Sequence, residues 1–285
     1  MKNAMIEACE LGFIYDNEEK TLALDGIDVS VDQGSFVAII GSNASGKSTL
    51  AYHCNALLSP TSGKFYVLGK ENCVEAENYI QIRKNVGLVF QNPDSQALIG
   101  IVEEDVAFGL CNLGLPPAEI ELRVKEALKA VKMEGYRDHL TQRLSCGQKQ
   151  KVALAGVLAM RPSCIVLDEA TAMLDPVSRQ EILEILDHLR ADYNITVVFI
   201  THNMNEAMHA DRILVLARGR VILDGRPSEV FSKADTLIEN DLELPPLIQL
   251  MHELAQAGCP VPSGVLSFDE CEDFIFRMLT AEDSR

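Results

Sequence analysis

The run "SFVAIIGSNASGKSTLAYHCNALL" carries the densest chemistry in the chain. Gly41 to Ser48 fit the pattern G-x-x-x-x-G-K-[ST], with a strand-like run Phe36–Ile40 before the loop and a helix-like stretch Leu50–Leu58 after it. In that order the backbone N–H groups of Gly41, Ser42, Asn43, Ala44, Ser45 and Gly46, and those of Lys47, Ser48 and Thr49 behind them, surround a polyphosphate. A helix N-terminus there adds a dipole that favours anions. Lys47 supplies a point charge for the outer phosphates, and the Ser48 hydroxyl is a candidate Mg²⁺ ligand.

A second apolar run, "CIVLDEATAMLDP", ends in two adjacent carboxylates. Consecutive strand residues face opposite ways, so Asp168 and Glu169 take different roles. Asp168 is the expected Mg²⁺ ligand, and Glu169 is the group expected to orient or deprotonate an attacking water. A third run, "ITVVFITHN", puts His202 just past its end, where it becomes a second catalytic candidate. Asp175, before Pro176, reads locally as a carboxylate that caps the following turn.

In "RLSCGQKQK", Ser145 followed three residues later by Gln148 is a capping box that opens a helix over about 147–160. A capped helix end still presents N–H groups to a phosphate. Cys146 falls at the first helical position, where an ordinary right-handed conformation serves. Gly147 holds the position that calls for close phosphate approach.

Taken in order, "GSNASGKST", the glutamine of "LVFQNPDSQ", "LSCGQ", "IVLDEATAMLD" and "ITH" resemble the Walker A, Q-loop, signature, Walker B with D-loop, and H-loop of ABC-type ATPases across residues 36 to 202. The resemblance implies ATP and Mg²⁺ as ligands. It further implies that Tyr15 stacks on the adenine, that Gln91 senses the γ-phosphate and Mg²⁺, and that His202 contacts the γ-phosphate. Ser145, Cys146, Gly147 and Gln148 would act on the ATP of an opposing subunit, and Asp175 would communicate across the dimer. The chain departs from the family pattern at Cys146, where glycine is usual, and more mildly at Ala44 and Lys151.

A finer likeness follows. "EEDVAFGLCNLGLP", "DEATAMLDP" and the tail "LELPPLIQLMHELAQAGCPVP" are similar to the ATPase subunits of energy-coupling factor transporters, which import vitamins and metal ions. That likeness implies a second ATPase subunit in a homo- or heterodimer, a multi-spanning membrane coupling subunit and a separate substrate-binding membrane subunit. The chain would then sit at the cytoplasmic face of the membrane, held peripherally by those partners.

The elements needed to position these residues read as α/β: a P-loop NTPase of ABC type with a mostly parallel core sheet. Residues 4 to 35 read as an antiparallel β portion with "ALDGIDVSVDQG" as its hairpin-like punctuation. A helical subdomain is expected over about 93–160, where Ile120, Val124, Ala127, Leu128 and Val131 make one apolar face. Acidic residues there, Asp94, Glu103, Glu104 and Asp105, are candidates to meet basic side chains of a partner helix. The nucleotide-binding domain is expected over 1–226 and a helical extension over 227–285. Two stripes mark that extension: Leu247, Leu250, Met251, Leu254 and Ala255, then Cys271, Phe274, Ile275, Met278 and Leu279.

Charge narrows the function classes. A net charge of −17, from 42 acidic and 25 basic residues, disfavours a phosphate-tracking surface for nucleic acid and direct adsorption to anionic lipid. No apolar run reaches the ~20 residues that span a bilayer, and "VALAGVLAM" fits a buried helix better. The first residues contain no signal-peptide h-region. The eight cysteines lack C-x-x-C or zinc spacing and read as reduced thiols. Two rival readings are a soluble ABC ATPase working on nucleic acid or ribosomes, and a regulatory subunit that binds ATP but hydrolyses it weakly. The acidity disfavours the first, and the presence of Glu169 and His202 the second.

Overall fold

The computed structural model describes residues 4–72, 76–96, 99–262 and 268–282. Strands β1 (Ala4–Ile14) and β2 (Leu22–Asp32) pair antiparallel through most of their length. The turn between them lies at residues 15–21, so "ALDGIDVSVD" is strand rather than hairpin punctuation. Its Gly and Asp residues are absorbed by register shifts, as between the pairs Leu11–Ile27 and Phe13–Leu24.

Next come β3 (Phe36–Gly41), the phosphate-loop segment, and α1 (Lys47–Cys54). This helix begins and ends earlier than the Leu50–Leu58 expected from hydrophobicity. Gly46, at φ 105, turns the chain directly into it. Strands β4 (Ser62–Val67) and β5 (Lys70–Glu71) complete a four-stranded sheet in the order β2-β1-β4-β5. Helix α2 (Ala76–Asn85) leads to β6 (Val86–Val89).

The helical region holds α3 (Val102–Asn112), α4 (Pro117–Ala130) and α5 (Cys146–Ala159). On α4, Val124, Ala127 and Leu128 are buried, with Val131 just beyond and Ile120 packed against the same core. Three of the four acidic candidates there are engaged within the chain. Asp94 pairs with Lys149 at 2.7 Å, Glu103 forms a bidentate pair with Arg137, and Asp105 accepts from the Ile99 N–H at 2.7 Å. Helix packing brings Arg137 to Glu103 and Lys149 to Asp94, and Asp105 holds the turn that leads into α3.

The remaining elements are β7 (Cys164–Asp168), α6 (Pro176–Tyr193), β8 (Thr196–Ile200), the one-turn α7 (Met204–Ala207), β9 (Arg212–Ala217) and β10 (Arg220–Gly225). The main sheet runs β10-β9-β3-β8-β7-β6, parallel except for β10. Its parallel strands are apolar without alternation because both faces are covered. In β3, Phe36, Ala38 and Ile40 join the core beneath the helices, while Val37 and Ile39 join the core shared with the antiparallel sheet and α1. Strand β8 divides the same way, Val197 and Phe199 against Val198 and Ile200.

The chain ends in α8 (Pro227–Phe231), α9 (Ala234–Glu239), α10 (Pro246–Gln256) and α11 (Phe268–Glu282). Leu237, Leu242, Leu244 and Ile248 belong to the core cluster of the main domain. At roughly 2 kcal/mol per buried leucine or isoleucine, they anchor this segment. The line Leu244, Ile248, Met251 faces inward, so the expected stripe is rotated: Leu250 and Ala255 are exposed. Burial of Leu244 and the Pro245–Pro246 entry fix that rotation. On α11 Cys271 is buried and Phe274, Ile275 and Met278 are half-buried; the Leu279 side chain lies outside the described residues. So does Cys73, while the seven described cysteines are free thiols.

Candidate functional site

The site forms where β3, β7 and β8 end side by side. Strand register puts Asp168 opposite Ile200 and runs β3 parallel to β8, so three separate sequence segments release their chemistry at one edge. Lys47 is 5% exposed, and its ammonium donates to the carbonyls of Gly41 at 2.9 Å and Ser42 at 2.8 Å. Burial pushes its pKa down, against the pull of Glu169 and Asp168. The Ser48 hydroxyl donates to Asp168 Oδ1 at 2.9 Å. Burial pushes the Asp168 carboxyl up, and the nearby Glu169 adds to the shift, while bonds from Ser48 and Tyr52 oppose it. A cation site and an anion site therefore both lie in a poorly hydrated edge, and burial disfavours the charged form of each.

Asp168 ends a strand, but Glu169 steps out of it at φ 51. That left-handed conformation costs a non-glycine residue about 1–2 kcal/mol. Its N–H donates to the Ile200 carbonyl at 3.0 Å, which holds the turn, and its carboxylate meets His202 Nε2. Ala44 is likewise left-handed, at φ 60, so this departure from the family pattern carries a backbone cost that the sequence did not reveal.

Tyr15 is half-buried, and its hydroxyl shares a hydrogen bond with Thr49 Oγ1 at 3.1 Å. Gln91 is exposed just past β6. Tyr52, one turn along α1 from Ser48, reaches Asp168 as well; the i, i+4 spacing was available in sequence but nothing marked it.

A second group sits at the start of α5. Ser145 Oγ accepts from the Gln148 N–H at 3.3 Å, and Gln148 Oε1 accepts from the Ser145 N–H at 3.0 Å, completing the expected box. Cys146 is the first helical residue, exposed. Gly147 lies against α6: a Cβ there would come 2.4 Å from Ser178 Oγ. Ser178 in turn donates to Asp175 Oδ2 at 2.6 Å, and Asp175 caps α6 through the N–H groups of Val177 and Ser178. The Ser178 hydroxyl and those N–H groups hold the Asp175 carboxyl below its usual value. No hydrogen bond among the described residues joins this group to the phosphate loop.

A groove of about 360 Å³ between β6, α3 and α5 is lined by Phe90, Phe108, Val152 and Met160, Phe90 being the residue before Gln91. Among the described residues no helix is long and apolar enough to cross a membrane.

A strand-loop-helix phosphate site facing a strand-end carboxylate pair and a histidine defines a P-loop nucleotide hydrolase of the cassette type. The family model described as ABC transporter matches residues 24–172. The chain is 51% identical over 276 residues to the energy-coupling factor transporter ATP-binding protein EcfA1 of Symbiobacterium thermophilum, covering 95% of this chain and 96% of that one. It is 46% identical to EcfA1 of Clostridium novyi, covering 95% and 97%. Among solved structures, cbiO1 from Clostridium perfringens, described as part of the ABC transporter complex cbiONQ, superposes with a TM-score of 0.76 at 38% identity, over 88% of this chain and 99% of that one. The cassette MJ0796, as a dimer in a post-hydrolysis state bound to ADP and Pi, superposes with a TM-score of 0.72 at 30% identity, over 78% and 99%. The chain belongs to the ABC transporter ATPases, within the group of energy-coupling factor ATP-binding proteins. It is an ATP-binding ATPase.

Proposed function

We propose that this chain is the ATP-hydrolysing subunit that powers a membrane importer of the energy-coupling factor type, carrying vitamins or transition-metal ions. The observation that carries the reading is the Glu169–His202 pair at the mouth of the phosphate loop. The end-to-end similarity to EcfA1 proteins supports the transporter assignment.

Residues Gly41 to Thr49 bind the phosphates, and Lys47 exchanges its two carbonyl partners for phosphate oxygens. Tyr15 stacks on the adenine. Glu169 orients or deprotonates the attacking water, and His202 holds both Glu169 and the γ-phosphate. Ser48 and Asp168, already joined by a hydrogen bond, would hold Mg²⁺ together with Gln91. One carboxylate, one hydroxyl and one amide oxygen, completed by substrate phosphates, are oxygen ligands that suit this hard ion. Bound there, Mg²⁺ neutralises charge on the outer phosphates.

Two ATPase subunits close on two nucleotides, Ser145, Cys146, Gly147 and Gln148 of each reaching the other's ATP, with Asp175 at the joint. The apolar groove beside Gln91 receives a helix of the membrane coupling subunit, so that closure and reopening move it. A separate membrane subunit binds the cargo, and the chain sits at the cytoplasmic face through these partners.

Glu169→Gln traps the closed dimer. Capture of this variant with Mg-ATP from detergent-solubilised native membranes, followed by mass spectrometry, is expected to yield an ATPase subunit with a multi-spanning membrane protein. Ribosomal or DNA-bound partners without a membrane protein overturn the transporter assignment.

A further inference from the structure

The mechanism above leaves one buried carboxylate unused. Glu206, on the one-turn helix α7, is 2% exposed. Its Oε2 accepts a hydrogen bond from the Thr201 hydroxyl, and its Oε1 lies 3.2 Å from Arg179 Nε. Thr201 Oγ1 also accepts from the Asn203 N–H at 2.9 Å, so one hydroxyl ties down the residues on both sides of His202. On the other side, Arg179 Nη2 reaches the Leu174 carbonyl at 3.4 Å, immediately before the Asp175 cap. A continuous polar path therefore runs from the Asp175 turn through Arg179, Glu206 and Thr201 to His202, and from His202 to Glu169. All but Asp175 and Leu174 line one cavity of about 970 Å³, closed on its far side by α10.

The chemistry of this path is costly. A buried carboxylate needs full compensation, and pairing with the half-buried Arg179 adds little stability over an apolar replacement. The Arg179–Glu206 contact is also close without an aligned N–H, since neither Nε nor Oε1 makes a hydrogen bond. A fold under no other demand would fill the space with packed apolar side chains. What the charged path supplies is orientation: it fixes the backbone on either side of His202 against the turn that carries Asp175.

We infer that Thr201, Glu206 and Arg179 are positioning residues for hydrolysis, holding His202 against Glu169 and linking that contact to the Asp175 turn. The inference rests on the reading that Glu169 and His202 serve hydrolysis. Misplacing a reacting group costs rate more than binding. The ATP site lies in the phosphate loop, so the effect falls on kcat.

The test uses ATPase kinetics and thermal unfolding of the full chain as Thr201→Val, Thr201→Ser, Glu206→Gln and Glu169→Gln. Thr201→Val removes the hydroxyl at nearly constant volume, and Glu206→Gln keeps an acceptor for Thr201 while removing the charge. We expect both to lower kcat about tenfold or more with KM for ATP within about twofold, and Thr201→Ser to restore kcat. If Glu169→Gln abolishes turnover while Thr201→Val keeps kcat within about twofold of the wild type, the positioning role is wrong and the hydrolytic site stands. If kcat and Tm fall together and Thr201→Ser restores neither, the path is merely structural and the inference is overturned. If Glu169→Gln turns over at the wild-type rate, the hydrolytic reading fails and this inference falls with it.

Discussion

The Ser48 hydroxyl donates to the Asp168 carboxylate at 2.9 Å, joining the start of α1 to the end of β7. A carboxylate and a hydroxyl so joined are two of the ligands a hard divalent ion accepts, and the carboxyl already bears the cost of burial.

That cost makes Asp168→Asn a stability test. Because the folded pKa is raised, the native state holds its proton in a pH range where the unfolded chain has lost it. Stability contributed by the protonated form is present below the ordinary carboxylate value and lost as pH rises above it. Asp168→Asn is therefore expected to stabilise the nucleotide-free protein at neutral pH while abolishing Mg-dependent hydrolysis. The gain should vanish below pH ~4, as read by Tm across pH. A variant less stable than the wild type at pH 7 contradicts this account.

Ala44→Gly tests the strain in the phosphate loop. Glycine removes about 1 kcal/mol of left-handed strain and loses roughly half of it through a freer unfolded chain. Urea unfolding should show a small net stabilisation, about 0.5 kcal/mol, with ATP still bound. A destabilised variant would mean that the alanine methyl contributes packing outweighing its φ.

Gly147→Ala is expected to be severe. Its Cβ would meet Ser178 at both Oγ and Cβ, at 2.4 and 2.7 Å, so α5 and α6 must separate. Overpacking of this kind costs about 1–3 kcal/mol. It also disturbs the Asp175 cap next to it. Thermal unfolding and ATPase rate should both fall, and an unchanged Tm would show that the two helices yield easily.

Cys146→Gly, by contrast, is expected to change little. Cys146 has ordinary helical geometry, so glycine brings no conformational relief and costs up to about 0.5–1 kcal/mol of helix stability. Hydrolysis should stay within about threefold of the wild type, measured under saturating ATP. A rise of tenfold or more would show that the thiol itself obstructs the opposing subunit's nucleotide.

Much of the site was legible because its parts are contiguous. The glycine loop, the Ser145–Gln148 box, the Asp175 cap and the apolar runs of β3, β7 and β8 each encode their geometry within a few residues, where backbone hydrogen bonding reaches. The α4 face was readable for the same reason. What the chain could not announce locally was rotation, conformation and pairing. The inward line of α10 is set by Leu244 and the proline entry, the left-handed backbone of Ala44 and Glu169 by the turns around them, and the engagement of Asp94 and Glu103 by helix packing. The sequence by itself determined which residues stand at the ends of buried strands. The tertiary structure decided which of those ends meet, because the order β3-β8-β7 in the sheet brings Ser48 to Asp168 and His202 to Glu169 across separations no local hydrogen bond can span.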